Sequence, residues 1–208
     1  MKEVKPKISK CINKNIIDAY NDNNYSNSIF NENIDREIVI RNSIFDSCIF
    51  EKIDFSNINL VGVELLDCIF DGCDLSNKIF DDKLVSRVIF RNCKMIGTSF
   101  VNSSFKEVIL DNCNCRYLNF SNAKINNVIF KDCSLIESTF MENNIKDIYF
   151  DNVNLDNTEF IKSSLKNVDL SSCNIDNTIF DFSSLNGLII DKYQSYSIVG
   201  MLGIKVKE

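Results

Sequence analysis

The sequence predicts an all-β solenoid of square coils, and three periodic columns predict it. Every fifth residue from Ile40 to Ile190 is apolar, counting Val85, Met95 and Cys115, and no insertion breaks the frame. Two residues before each centre lies a column of small or β-branched residues, among them Ser43, Cys48, Val63, Cys68, Cys73, Thr98, Ser103, Ala123, Thr158 and Ser163. Two residues after each centre the chain is mostly Asn, Asp or Gly, the residues that accept left-handed or turn geometry at least cost.

A spacing of five fits neither regular element. On an α-helix each fifth residue turns by about 140°, which scatters the apolar side chains around the axis. Along a single strand an odd spacing changes face every time. Each block of five is therefore a short extended piece followed by a corner. Four corners of about 90° return the chain to its starting direction, so about twenty residues make one coil, stacked on the next at ~4.8 Å.

The phenylalanines supply an internal check. All of the 16 except Phe45, Phe55, Phe105 and Phe182 sit at multiples of ten. On a square coil this places rings on two opposite walls and smaller Leu, Ile, Val or Met side chains on the other two, as a narrow interior at native density requires. Each buried centre is worth about 2 kcal/mol, so the core needs neither metal nor disulfide.

The elements follow in order. Residues 1–39 form an N-terminal segment, a partial coil or cap: Tyr25 and Phe30 fit the frame and Asp35 does not. Residues 40–190 form the coils. In residues 191–208 the period stops; Asp191 is an N-cap candidate, Tyr193, Tyr196, Val199 and Leu202 share one helical face, and Gly203 suits termination. A solenoid must cap its last coil to protect open strand edges. Tyr193, Ile198, Val199, Met201, Leu202 and Ile204 carry more apolar surface than a cap needs, which points to self-association.

The chain has 208 residues, 45% hydrophobic, with 29 acids, 23 bases and a net charge of −6, a balance that argues against direct nucleic-acid binding. No apolar run reads as an export leader or membrane span, so a cytoplasmic protein with nine free cysteines is expected. Cys73, Cys93, Cys113, Cys133 and Cys173 share one column, where cysteine is a small filler rather than a metal or redox site. With no histidine, phosphate loop or nucleophile elbow, no catalytic residue, metal or cofactor is expected.

Charge is the remaining signal. Glu51, Asp71, Asp111 and Asp151 stack in one column, with Arg91 and Lys131 interposed, and Asp54 and Asp74 flank them on the adjoining wall. Acids repeating along a rod imitate the phosphates of a duplex and attract a protein whose ligand is DNA. The distribution is uneven: residues 41–76 hold 7 acids and 2 bases, 77–131 hold 4 and 9, and 132–191 hold 11 and 3.

The repeat from residue 40 to 190 resembles the pentapeptide repeat proteins, which implies a right-handed quadrilateral β-helix. The ending "GLIIDKYQSYSIVGMLGIKV", with Asp191-x-Tyr193-Gln194 followed by Leu202-Gly203-Ile204, and the stretch "NCNCRYLNF" are similar to the Qnr-type quinolone-resistance group. That resemblance implies a rod-like homodimer joined through its C-termini, which binds DNA gyrase and topoisomerase IV as a duplex mimic and protects them from quinolones. The unbroken frame leaves no room for the two projecting loops many Qnr-type proteins use for protection. The alternative is a pentapeptide scaffold for a different protein partner.

Overall fold

In a computed structural model, which describes residues 3–201, 203–205 and 207, the chain forms the expected quadrilateral β-helix with a short C-terminal helix. All strand pairs are parallel, and through the coils the partner of each residue is the one twenty positions on. One wall runs Ile49–Ile69–Ile89–Ile109–Ile129–Tyr149 in register.

The corners explain the Asn, Asp and Gly column. From Asn42 to Asn177 every non-glycine residue with positive φ lies two positions after a centre. Backbone bonds such as Lys78 N–H to Leu75 O (3.2 Å) close several of these turns. Less suited residues, including Arg87, Tyr117 and Lys162, are held at φ 52–59° by the coils around them. Gly97 answers a second constraint, since a Cβ there would meet Asn77 Oδ1 at 2.8 Å in the coil below.

Phenylalanine rings stack along two opposite walls. Phe50 and Phe70 lie 4.5 Å apart and 8° from parallel, and Phe120 and Phe140 lie 5.4 Å apart at 1°. Across the interior the two stacks meet edge to face, as Phe140 and Phe150 do at 75°. Both arrangements suit the ring quadrupole.

The small column does more than fill space. Cys93 Sγ donates to Phe70 O, Cys113 to Phe90 O, Thr98 Oγ1 to Leu75 O (3.0 Å), Ser103 Oγ to Phe80 O (2.6 Å) and Thr158 Oγ1 to Leu135 O (2.7 Å). In each case the acceptor is the carbonyl of a centre 23 residues earlier. The cysteines read as apolar fillers are therefore donors to buried carbonyls in the coil beneath, which would otherwise lose their hydrogen bonds to water.

Both ends are closed. At the N-terminus Phe30 stacks on Phe50, Tyr25 meets Phe45 edge to face, and helix Ile16–Asp22 buries Ile16 and Ala19 in the same core. Where Asp35 breaks the frame, Ile34 packs against the core instead. At the C-terminus Asp191 Oδ1 accepts from the amides of Tyr193 and Gln194 and starts helix Gln194–Met201. Gln194 Nε2 then donates to Leu170 O and Cys173 O, capping carbonyls of the last coil at 2.8 and 2.7 Å.

One coil departs from the pattern. Between Ile40 and Phe180, Ile145 alone among the centres is not buried. Its strand, Asn144–Asp151, carries a β-bulge that pairs Asn126 with Asp147 rather than with Lys146.

Candidate interaction surface

The outward columns are interleaved ion pairs rather than unbroken acid rows. Arg87 grips Asp67 with both ends of its guanidinium, Nε to Oδ1 and Nη2 to Oδ2, each at 2.6 Å. Arg91 Nη2 reaches Asp71 Oδ2 at 2.7 Å, and Lys94 Nζ reaches Asp74 Oδ2 at 2.9 Å. All three pairs are twenty residues apart, so one coil of cations sits directly above one coil of acids.

Asp67 is the most constrained of these acids, with a side chain only 7% exposed. Burial alone would raise its carboxyl, but the Arg87 guanidinium and the Lys7 amide, which donates to Oδ1 at 2.7 Å, together hold it below the usual carboxylate range. The same contact pins the extended N-terminal segment along the rod. Hydrogen bonding from Arg91 likewise lowers Asp71. At Asp74 burial is overcome by Ser76 and Lys94.

The predicted acids therefore divide. Asp71 and Asp74 are engaged by Arg91 and Lys94 and keep only about a third of their side-chain surface exposed. Glu51 stands in register below Asp71 and is open to solvent. Asp54 Oδ1 accepts from Ser56 N, and its charge, with that of Asp74, faces the half-buried Lys78. Asp111 lies in register between Arg91 and Lys131, and Asp151 above Lys131. The basic belt seen in the sequence is, at Arg87, Arg91 and Lys94, the other half of these pairs. The signal was present in the spacing of twenty, where Asp67 and Arg87 belong to one corner column.

The largest surplus of negative charge lies in residues 132–191, which hold 11 acids against 3 bases. Among the described residues of that stretch, the ion pairs are Lys162 with Glu142 and Arg116 with Glu137. Glu137, Glu159 and Asn157 border one shallow depression on this surface.

Of the apolar residues expected to join two copies, Tyr193, Met201 and Ile204 are 69%, 43% and 55% exposed. Val199 is half-buried, and Ile198 packs against the core as part of the cap. Leu202 lies outside the described residues. The cysteine column is sealed: Cys73, Cys93, Cys113, Cys133 and Cys173 are all buried, and burial pushes the Cys173 thiol up. Among the described residues no group of three or more Cys, Asp or Glu is placed to hold a metal ion. Among the described residues no helix is long and apolar enough to cross a membrane.

Comparison with known proteins matches this geometry. Residues 83–160 and 123–193 fit the family described as "Pentapeptide repeat region", and residues 45–77 fit "Pentapeptide repeats (8 copies)". The chain belongs to the pentapeptide repeat family. Among solved structures this pentapeptide repeat protein is similar to full-length QnrB1, described as a plasmid-mediated fluoroquinolone resistance protein, at 21% identity and a TM-score of 0.51, covering 86% of this chain and 89% of that one. A pentapeptide repeat protein of the Arabidopsis thaliana thylakoid lumen matches at 22% identity and a TM-score of 0.33, covering 50% and 63%. HetL of the cyanobacterium Nostoc sp. strain PCC 7120, involved in heterocyst differentiation regulation, matches at 14% and 0.31, covering 85% and 96%. No curated protein sequence matches the chain.

Proposed function

We propose that this pentapeptide repeat protein performs no chemistry and acts as a rod that occupies the DNA-binding groove of a type II topoisomerase, DNA gyrase or topoisomerase IV. The observation that carries the reading is the surplus of acids in residues 132–191, held on coils that repeat at the ~4.8 Å strand spacing. The likeness in fold to QnrB1, itself a fluoroquinolone resistance protein, supports the choice of partner. Asp151 belongs to that stretch, and Glu51, Asp54 and Asp111 extend the acidic surface toward the N-terminus. Asp71 and Asp74 contribute less, because their charge is already offset. Two copies joined through Tyr193, Val199, Met201, Leu202 and Ile204 would double the rod's length.

A second reading is favoured by the same ion pairs. Interleaved charges of both signs imitate phosphates poorly and suit a scaffold that docks a different protein with its own mixed-charge surface.

Titrating gyrase supercoiling with this protein, with and without a quinolone, separates the two. The proposal expects inhibition at micromolar protein that weakens as salt rises, because the contact is electrostatic. It expects little rescue from the quinolone, since the coils carry no projecting loop. No change in supercoiling at low salt would remove the topoisomerase reading and leave the scaffold.

A further inference from the structure

The departure at Ile145 opens the side of the rod. In successive coils below it the ladder is regular: Ser104 N–H donates to Lys83 O, Lys124 to Ser103 O and Asn144 to Ala123 O, at 2.9, 2.9 and 3.0 Å. The next bond of that series, from Ser164 to Asn143, is absent. Among the described residues no backbone hydrogen bond joins Asn144–Asp151 to residues 164–171. At the far end of the gap a serine hydroxyl takes the place of the expected carbonyl, Asn152 N–H donating to Ser172 Oγ at 3.2 Å where Asp132 N–H donates to Asp151 O one coil below. The other two walls stay closed, with Asn154 bridged to Asn174 and Glu159 to Ile179.

The result is a cleft of about 360 Å³ between two coils, bordered by Ile145, Ile148, Tyr149 and Val168, whose charged lining is two cations, Lys146 and Lys166, against one carboxylate, Asp147. Both lysines are exposed, and they are two of the three bases in residues 132–191. The rod thus presents, part-way along its length, what solenoids normally cover at their ends: a strand edge with free donors and acceptors in alternation.

We propose that this cleft takes up an extended segment of a partner protein by strand addition, main chain to the edge of Asn144–Asp151, apolar side chains toward Ile145, Ile148 and Val168, and an acidic residue between Lys146 and Lys166. Backbone pairing supplies affinity without sequence preference, and the lysines, cations in an acidic half, set which end of the segment lies there. The site shares Asp151 with the acidic surface assigned above, but strand addition holds whether or not the partner of that surface is a topoisomerase.

Amide hydrogen exchange on the full-length protein, with the peptide acetyl-Glu-Val-Thr-Val-Thr-amide as probe, tests this. In the free protein the amides of Ser164 and Asp169 exchange at least about tenfold faster than those of Lys124 and Ile129, which are paired. At about 1 mM peptide, exchange across Asn144–Asp151 and residues 164–170 slows by about tenfold while Lys124–Lys131 is unchanged. Methylating alternate peptide nitrogens abolishes the effect, and the double variant Lys146→Glu, Lys166→Glu weakens it. Slow exchange at Ser164 and Asp169 without peptide would mean a closed ladder and overturn the proposal. So would an absence of protection by the peptide, equal protection by its methylated form, or unchanged binding to the double variant.

Discussion

Replacing Phe120 with alanine is expected to destabilise the protein by about 3–5 kcal/mol, the cost of removing a large buried ring and leaving a cavity. Phe120 is fully buried and touches Phe100, Phe105, Phe130 and Phe140 at ring separations of 4.6–6.1 Å, so it links both aromatic walls. Neighbouring coils cannot close over the space without breaking their own ladder bonds. Urea unfolding measures the loss, and Phe120→Leu should recover most of it. Ile145→Ala provides the contrast. Its side chain is only half-buried, so about 1 kcal/mol or less is expected.

The second large effect concerns charge. Arg87→Ala is expected to cost about 3 kcal/mol near neutral pH, because it leaves the buried Asp67 carboxylate with the Lys7 amide as its remaining partner. The pH dependence follows from the depressed Asp67 pKa. A carboxyl whose folded pKa lies below its unfolded value of about 3.9 contributes stability that is complete above that value and disappears as pH falls through the folded one. The wild-type chain should therefore lose stability on acidification through that window, and the Arg87→Ala variant should lose less. Thermal unfolding of both proteins between about pH 2 and 7 reads the difference; parallel curves would contradict it.

Much of this was legible in the sequence, and the reasons differ by feature. The coils were readable because packing acts on every fifth side chain, and the phenylalanines at multiples of ten report which walls face each other. The corners were readable because positive φ selects Asn, Asp and Gly. The donor role of the small column was less plain. Ser, Thr and Cys fall in the size range of Ala and Val, and only the recurrence of side chains with an O–H or S–H donor, at 68, 73, 93, 98, 103, 113 and 133, distinguished a bonding column from a packing one. The ion pairs were hidden for another reason. Arg91 reads as an interruption when acids alone are followed, and as a partner once Asp71–Arg91 is compared with Asp67–Arg87 and Asp74–Lys94. The opening at Ile145 left no signal in the frame. Asp147 is a residue that tolerates a corner, yet it lies in an extended strand, and composition does not report which of the two it adopts.

The account rests on side chains twenty residues apart lying one above the other. Methyl–methyl nuclear Overhauser effects between isoleucine δ1 groups test this directly on the wall formed by Ile69, Ile89, Ile109 and Ile129. Cross-peaks are expected between Ile69 and Ile89, Ile89 and Ile109, and Ile109 and Ile129, with none between Ile69 and Ile129. A pattern lacking the successive contacts, or linking the two ends, would contradict the stacked coils and every column built on them.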